Sequence, residues 1–193
     1  MGNTYLLTWN PGKWDFEGGY YTFLQRVKNG ENPIIEWRAA NTSIRKGDTL
    51  FLMRLGEAPR GILLKGIAMG SGHPSKHYEA DRAKAGELIN RVDVQFVSAG
   101  DYSKGEYIDW RILQERFPNQ NWTPQASGIA IRDEYCAALN DLWNQKIMNI
   151  NVPMIPKDIV KVTDGSVKYI CGRCESTFVK NARCPECGQL VKE

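Results

Sequence analysis

The chain has 193 residues, of which 42% are hydrophobic, and this is enough for one domain with a real core and a small second module. Its formal net charge of +3 is mild, so a nucleic-acid partner is permitted but not demanded. No apolar run approaches the roughly 20 residues of a membrane helix, and the N-terminus shows no basic segment followed by an apolar one. We therefore expect a cytoplasmic protein that does not contact a membrane.

The chain opens with a predicted strand and a predicted helix. The stretch "TYLLTWN" (4–10) is apolar and β-prone, and the Pro-Gly pair after it ends the strand. A helical period follows in "GGYYTFLQRVKNG" (18–30), whose Asn-Gly end is a typical helix stop. The apolar face of this helix would consist of Tyr20, Leu24 and Val27.

Two apolar strands come next. A Lys-Gly-Asp turn (46–48) predicts a strand from Thr49 to Arg54. The following stretch, "RGILLKGIAMGSG" (60–72), is a second strand in which glycines recur, and glycine within a strand typically marks a bulge or a sharp bend. The positions at which we expect a bulge or bend are Gly61, Gly66 and Gly70. The pattern favours a strongly curved sheet.

The second half continues with short elements. Residues 73–87 are polar and predict a surface segment that is partly helical. The stretch "LINRVDVQFVSAG" (88–100) alternates as a strand does, and "YIDWRILQERF" (107–117) predicts a short strand and a helical turn. The clearest helix is predicted over 129–144, with two acidic residues near its start.

These elements together predict an α+β fold. Short strands with glycine bends and a few short helices favour a small, curved mixed β-barrel over a βαβ sandwich. We expect this domain to cover residues 1–146 and to be followed by a connector over 147–166, which carries two prolines. Residues 167–193 would form a separate small module.

The cysteines indicate what that module is. Four of the five lie in "CGRCESTFVKNARCPECG" (171–188), as two CxxC pairs separated by nine residues. Two such turns supply the closed tetrahedral shell of a structural Zn²⁺ site, and the alternative of two disulfides is disfavoured in a cytosolic chain. The ligands would be Cys171, Cys174, Cys184 and Cys187. A closed shell leaves no position for water, so we expect a zinc ribbon without catalytic chemistry.

Signatures of an enzyme are scarce. The sequence has no GxxxxGK[ST], GxGxxG or GxSxG motif. Its two histidines, His73 and His77, flank a proline and are interpreted as solvated loop residues rather than metal ligands. The lone Cys136 falls in a helical stretch and is expected to be a small buried hydrophobe. No nucleophile can be paired with a base, so we expect no catalysis, and an enzyme with an unrecognised active centre is the less favoured alternative.

The tryptophans point to binding instead. Trp9, Trp37 and Trp122 each sit where a strand ends or a loop begins, beside amides, hydroxyls or small residues. An indole can stack on a planar base while neighbouring polar groups read the edge of that base. The alternative is core packing, since tryptophan is highly buried on average. Trp110 and Trp143 are expected to pack, and Trp14 fits either role.

Three separated stretches carry a family resemblance: "YLLTWNPGKW", "NTSIRKGDTLFLMRLG" and "WTPQASGIAI". Over residues 1–146 the chain resembles an EVE domain of the PUA-like superfamily, and it is most similar to the modules that precede HNH nuclease domains in modification-dependent restriction. The resemblance implies a pseudo-barrel whose pocket accepts one modified base. In the DNA readers this base is a 5-substituted cytosine, such as 5-methylcytosine, flipped out of the duplex. Related modules read modified RNA, so RNA stays open as the alternative partner.

The resemblance also implies which residues line or border that pocket. They are Trp9, Asn10, Trp37, Asn41, Thr42, Arg54, Trp122, Gln125, Ala126 and Ser127, with Arg60 as a phosphate contact whose ordinary alternative is a solvated arginine. The chain departs from the nuclease relatives because a four-cysteine module stands where they carry HNH. Cleavage is therefore not implied. We expect a reader of double-stranded DNA that acts with a separate nuclease, or whose zinc ribbon holds DNA or another protein.

Overall fold

The computed structural model describes residues 2–77 and 80–147 and, beyond them, only the backbone of three strands. The chain divides into two compact units, Met1–Ile147 and Met148–Glu193. Within the part described, no helix is both long and apolar enough to span a membrane.

The first unit combines a large sheet with short helices. Its strands are β1 (Thr4–Trp9), β2 (Ile34–Arg38), β3 (Thr49–Arg54), β4 (Gly61–Ala68), β5 (His73–Lys76), β6 (Leu88–Ala99), β7 (Ile108–Asp109) and β8 (Ile129–Ala130). Its helices are α1 (Tyr20–Lys28), α2 (Ala80–Lys84), α3 (Trp110–Arg116) and α4 (Asp133–Lys146), with a single 3₁₀ turn at Tyr102–Lys104.

The eight strands form one mixed sheet. Their order is β2-β6-β4-β3-β1-β8, with β5 paired to β6 and β7 paired to β4. β1 and β3 run parallel, and the other pairs are antiparallel. The sheet curls into a half-barrel that carries short helices. The α+β prediction is confirmed for this unit.

Two of the three predicted positions require glycine, one at a bulge and one at a close approach of another strand. The pairing of β4 with β6 shifts register between Lys65 and Gly66, and a Cβ on Gly66 would lie 2.6 Å from Val94 Cγ1. At Gly61 the φ angle is +154°, and a Cβ there would meet the Ile108 carbonyl oxygen at 2.1 Å. The prediction for Gly70 is wrong, because β4 ends at Ala68 and nothing lies within 4 Å of a Cβ at position 70.

Alternate residues of the central strands build two cores. Leu7 and Trp9 of β1 belong to the first core cluster, whereas Leu6 belongs to the second. Helix α1 covers the first cluster, and α3 and α4 cover the second. The buried face of α1 consists of Tyr20, Phe23, Leu24 and Val27, which includes all three residues that the helical period predicted.

Two sequence-based boundaries needed correction. The helix predicted over 129–144 begins only at Asp133, because residues 129 and 130 pair with β1 as strand β8. The polar segment 73–87 contains a strand, β5, which pairs with β6 and which periodicity did not predict. A four-residue edge strand with one proline carries too little apolar pattern to be recognised from sequence.

The second unit contains a three-stranded antiparallel sheet. Its strands are β9 (Pro156–Lys161), β10 (Val167–Cys171) and β11 (Thr177–Val179), in the order β11-β10-β9. Strand β9 falls inside the stretch predicted as a connector, 147–166, so part of that stretch contributes to this sheet. Cys171 is the last residue of β10, whereas Cys174, Cys184 and Cys187 lie outside the described residues.

Candidate functional site

Three of the predicted motifs meet at one edge of the large sheet, around Thr8. The Thr8 backbone N–H donates a hydrogen bond to Ser127 Oγ at 3.1 Å, and its carbonyl accepts one from the Trp37 indole at 3.2 Å. The next residue, Trp9, is the parallel-strand partner of Arg54. Residues far apart in sequence therefore converge where β1 and β3 end. We call the edge formed by Trp9, Trp14, Trp37, Arg54 and Ser127 the aromatic rim.

Trp9 and Trp37 form the fixed part of the rim. Only 4% of Trp9 and 8% of Trp37 are exposed, and both belong to the first core cluster. Trp9 stacks on Tyr20 with 5.4 Å between the ring centroids, and its indole N–H donates to the Trp14 carbonyl at 2.8 Å. Trp37 meets Phe96 edge to face. Both rings are committed to packing, so they hold the rim in shape more than they offer a free face.

Trp14 is the exposed ring of the rim. It is 47% exposed and stands edge-on to Trp37, with centroids 5.1 Å apart and an interplanar angle of 87°. A tight turn places it there, because the backbone N–H groups of Lys13 and Trp14 both donate to the Asn10 carbonyl. The sequence leaves the role of Trp14 open, and its one local signal is its position two residues after the Pro-Gly pair.

The two predicted asparagines shape turns. Asn10 Oδ1 accepts a hydrogen bond from the Gly12 N–H at 3.0 Å, and Asn41 Oδ1 accepts one from the Ser43 N–H at 2.8 Å. Thr42 is exposed, and its carbonyl accepts a bond from the Arg45 guanidinium at 2.6 Å. Each asparagine keeps an NH₂ group with two donors, which a ligand could use.

The end of the 121–131 loop borders the rim. Ser127 is buried, and its carbonyl accepts a hydrogen bond from the Ala40 N–H at 2.8 Å. Gly128 has a φ of +89°, and a Cβ there would lie 3.0 Å from that of Ala39, so the close approach requires glycine. Gln125 and Ala126 precede this contact and are exposed.

Trp122 does not join the rim. It is 2% exposed and belongs to the second core cluster, where its indole N–H donates to the Phe117 carbonyl at 3.1 Å. Trp9 and Trp37 belong to the first cluster. In this structure Trp122 offers no face to a ligand, and the expectation that it stacks on a base gives way to a packing role. Trp143 is fully buried, as predicted for a packing residue.

Two arginines lie over aromatic rings. The Arg54 guanidinium carbon is 5.1 Å from the centre of the Tyr102 ring, and Arg54 Nη1 donates to the Pro59 carbonyl at 2.9 Å. Burial, more than any neighbouring charge, raises the pKa of Tyr102. Arg60 covers the Trp110 ring at 4.8 Å, so Trp110 packs as expected. The Nε atoms of both arginines are buried and have no hydrogen-bond partner among the residues described.

An exposed cation also borders the rim: Lys13 lies beside Trp14 in the chain. Arg38 follows Trp37 in β2 and is exposed as well, but adjacent residues of a strand point to opposite faces, so Arg38 lies on the face of Glu36 and not on the rim. Within residues 2–77 and 80–147, neither forms an ion pair. One acid, Asp15, is close by in sequence and accepts a hydrogen bond from the Phe16 N–H.

The two histidines and the lone cysteine of the first unit differ in burial and in location. His77 is buried at 4% exposure, so its interpretation as a solvated loop residue is wrong. His73 lies in strand β5 rather than in a loop. Cys136 packs partly buried against the second core cluster, close to the expected role of a small hydrophobe.

Comparisons with known proteins show the fold. No protein family profile matches the chain, and no curated protein is similar to it. Among solved structures, a hypothetical protein from Leishmania major superposes with a TM-score of 0.55 at 12% identity, covering 75% of this chain and 96% of that one. A protein from Pseudomonas syringae superposes with a TM-score of 0.51 at 17% identity, covering 72% and 99%. Human THYN1, solved in complex with DNA that contains 5-methylcytosine, reaches a TM-score of 0.49 at 14% identity, covering 74% and 98%.

Proposed function

We propose that this chain is a non-catalytic reader of modified nucleic acid, which binds a flipped, 5-modified cytosine of double-stranded DNA at the aromatic rim. The observation that carries the proposal is Trp14: a half-exposed indole on a fixed aromatic frame, at the edge where the motif residues converge. An exposed aromatic face held by buried neighbours is the kind of platform on which a base stacks.

Stacking on an aromatic ring can return part of the free energy that base flipping costs. Extruding a base from a duplex costs a few kcal/mol, and stacking on an aromatic ring returns about 1 to 3 kcal/mol per base. The rest would come from hydrogen bonds to the edge of the base. Donors and acceptors stand in the adjoining turns, in the side chains of Asn10, Asn41 and Gln125. Thr42 and Ala126 would border the same site.

The cations of the rim suit a phosphate backbone. Lys13 is exposed, and Arg54 is held over Tyr102 at the end of β3. Arg60 would act as a further phosphate contact, with its guanidinium held over Trp110. Phosphate contacts raise affinity for any sequence and weaken as salt is added, whereas the base contact distinguishes one modification from another.

The experiment that tests the proposal is a binding titration at one stated salt concentration. The ligands are matched duplexes carrying cytosine, 5-methylcytosine, 5-hydroxymethylcytosine or glucosylated hydroxymethylcytosine at one position. The same modifications in RNA form a second set. A preference for one modified duplex supports the proposal, and a preference confined to the RNA set would move it to RNA. Equal, weak, salt-sensitive binding to every ligand would contradict it.

We also propose that the second unit holds one structural Zn²⁺. The donor set fits this ion, because Cys171, Cys174, Cys184 and Cys187 form two CxxC pairs and thiolates are ligands that Zn²⁺ prefers. The bound ion would stabilise the small unit and would supply no step of chemistry. A zinc ribbon also offers a surface to another macromolecule, and a nuclease of a modification-dependent restriction system is the partner that such a reader would need.

A further inference from the structure

We infer that the outer face of the large sheet carries a second, independent site for one divalent cation, formed by Glu36, His73 and Asp93. These residues come from three adjacent strands, β2, β5 and β6. Each offers one ligand atom, and the three atoms lie within 4.8 Å of one another. His73 Nε2 is 3.8 Å from Glu36 Oε1 and 3.7 Å from Asp93 Oδ2.

These separations suit a metal better than direct hydrogen bonds. Both are longer than a normal hydrogen bond, which spans roughly 2.7 to 3.2 Å for a nitrogen donor. Two ligands about 2.1 Å from a common ion, at an angle near the tetrahedral one, lie roughly 3.4 Å apart. To share an ion, the His73 imidazole would therefore approach each carboxylate by a few tenths of an ångström, and the two carboxylate oxygens, which lie within 4.8 Å of each other, would also move together. The three side chains are free to do so, since 37 to 49% of their side-chain surfaces are exposed.

The strand register is the second, independent observation. Glu36 of β2 is the direct antiparallel partner of Asp93 of β6. Two like charges placed directly opposite each other destabilise a pair of strands. Arg91 Nη1 and Ser75 Oγ both engage Glu36 Oε2, at 3.0 and 3.2 Å, and leave Oε1 toward His73. In the part of the chain that the structure describes, Asp93 has no Lys or Arg partner, so a bound cation would offset a repulsion that the backbone imposes.

The donor set determines which ions the site would take. One imidazole nitrogen and two carboxylate oxygens suit Mn²⁺, Fe²⁺ or Zn²⁺ and give three protein ligands, with the remaining positions left to water. Thiolates, in contrast, do not favour Mn²⁺. Mn²⁺ therefore distinguishes this site from the cysteines of the second unit. Adjacent residues of a β-strand point to opposite faces, so Glu36 faces away from its neighbour Trp37. The cation site therefore lies on the face opposite to the proposed base site.

The test is a Mn²⁺ titration of the full chain, in which the electron paramagnetic resonance signal of the free ion measures how much Mn²⁺ is unbound. We expect one bound Mn²⁺ per chain, with at least a tenfold loss of affinity in His73→Gln and in Asp93→Asn. Glu31→Gln is the matched control, because Glu31 is a similarly exposed carboxylate held by an arginine, Arg26. This control should bind Mn²⁺ as the original chain does.

A second readout separates metal binding from loss of structure. Without metal, Asp93→Asn should be at least as stable toward urea as the original chain, because the substitution removes the repulsion from Glu36. The chain holds only two histidines, so Mn²⁺ should broaden the imidazole NMR signals of His73 well before those of the buried His77. Equal Mn²⁺ affinity in all four proteins, or equal broadening of both imidazoles, would overturn the inference.

Discussion

Trp14 stands edge-on to Trp37, with 5.1 Å between the ring centroids and an angle of 87° between the ring planes. Trp37 is buried and bonded to the Thr8 carbonyl, whereas 47% of Trp14 is exposed. The pair thus joins a rigid support to an accessible ring. This arrangement separates residues that hold the rim from the residue that would touch a base, and it determines which substitutions are informative.

Trp14→Ala should weaken binding to the preferred modified duplex without unfolding the protein. Loss of one stacking platform is expected to cost about 1 to 3 kcal/mol, which corresponds to roughly 5-fold to 150-fold in affinity. The measurement is the duplex titration, repeated with this variant. Leu88→Ala is the control, because Leu88 is also an exposed hydrophobe but lies at the start of β6. Equal affinities for Trp14→Ala and the original chain would remove Trp14 from the site.

Trp122→Ala should act on stability. Its ring is 2% exposed and packs with Phe117 at 6.0 Å between centroids, so truncation leaves a cavity in the second core cluster. Removal of a buried tryptophan typically costs about 3 to 5 kcal/mol. Urea unfolding should reveal this loss. If the variant is fully stable and fails to bind DNA, Trp122 contacts the base after all, and its packing role is wrong.

Ser127→Ala should loosen the contact between the loop and β1. The Ser127 hydroxyl accepts the Thr8 N–H, and the alanine variant leaves that donor without its partner. An unsatisfied, partly buried N–H costs about 1 to 3 kcal/mol. The expected result is a lower free energy of unfolding together with weaker base binding. Ser127→Thr retains the hydroxyl and should preserve much of both properties; equal losses in the two variants would show that the hydrogen bond is not responsible.

Glu106→Gln should destabilise the protein at neutral pH and have little effect in acid. The hydrogen bond from Lys28 Nζ, at 2.7 Å, is the largest cause that lowers the pKa of Glu106 below its ordinary value of 4.5. A lowered carboxyl pKa stabilises the fold above the unfolded pKa, and this contribution disappears as pH falls through the folded pKa.

The loss expected for Glu106→Gln at pH 7 is about 1 kcal/mol at most, since the pair is partly exposed. The measurement is urea unfolding of both proteins at pH 7 and at several values between roughly pH 5 and pH 3, the range in which a carboxyl titrates. The two curves should converge toward the acid end. A constant difference at every pH would mean that packing, and not charge, explains the effect.

Cys184→Ser should release zinc. Removal of one thiolate from a four-thiolate shell leaves an incomplete site, so the metal content should fall from one equivalent toward none. The first unit should keep its unfolding midpoint, because none of the four cysteines belongs to it. Cys136→Ser is the matched control, as Cys136 lies in α4 and is expected to leave the metal content unchanged. Full retention of zinc in Cys184→Ser would exclude the four-cysteine site.

The sequence by itself determined the local parts of this protein. The apolar run and Pro-Gly stop of β1, the face of α1 and the Lys-Gly-Asp turn before β3 depend on residues close together in the chain, so periodicity and turn chemistry predict them. The bulge at Gly66 is likewise predicted by a glycine inside an apolar strand, although Val94, the side chain that excludes a Cβ there, comes from another strand. The paired CxxC spacing likewise predicts a zinc site from adjacent residues alone.

Only the tertiary structure decided which tryptophans face each other and which face water. Trp9, Trp14, Trp37 and Trp122 share the same local context of turns and polar neighbours, yet one is half exposed, two support it, and the fourth belongs to another core. Burial depends on the strands that pair across the sheet, and no local pattern records that pairing. The opposition of Glu36 and Asp93 arises in the same way, from a register that two strands distant in sequence adopt.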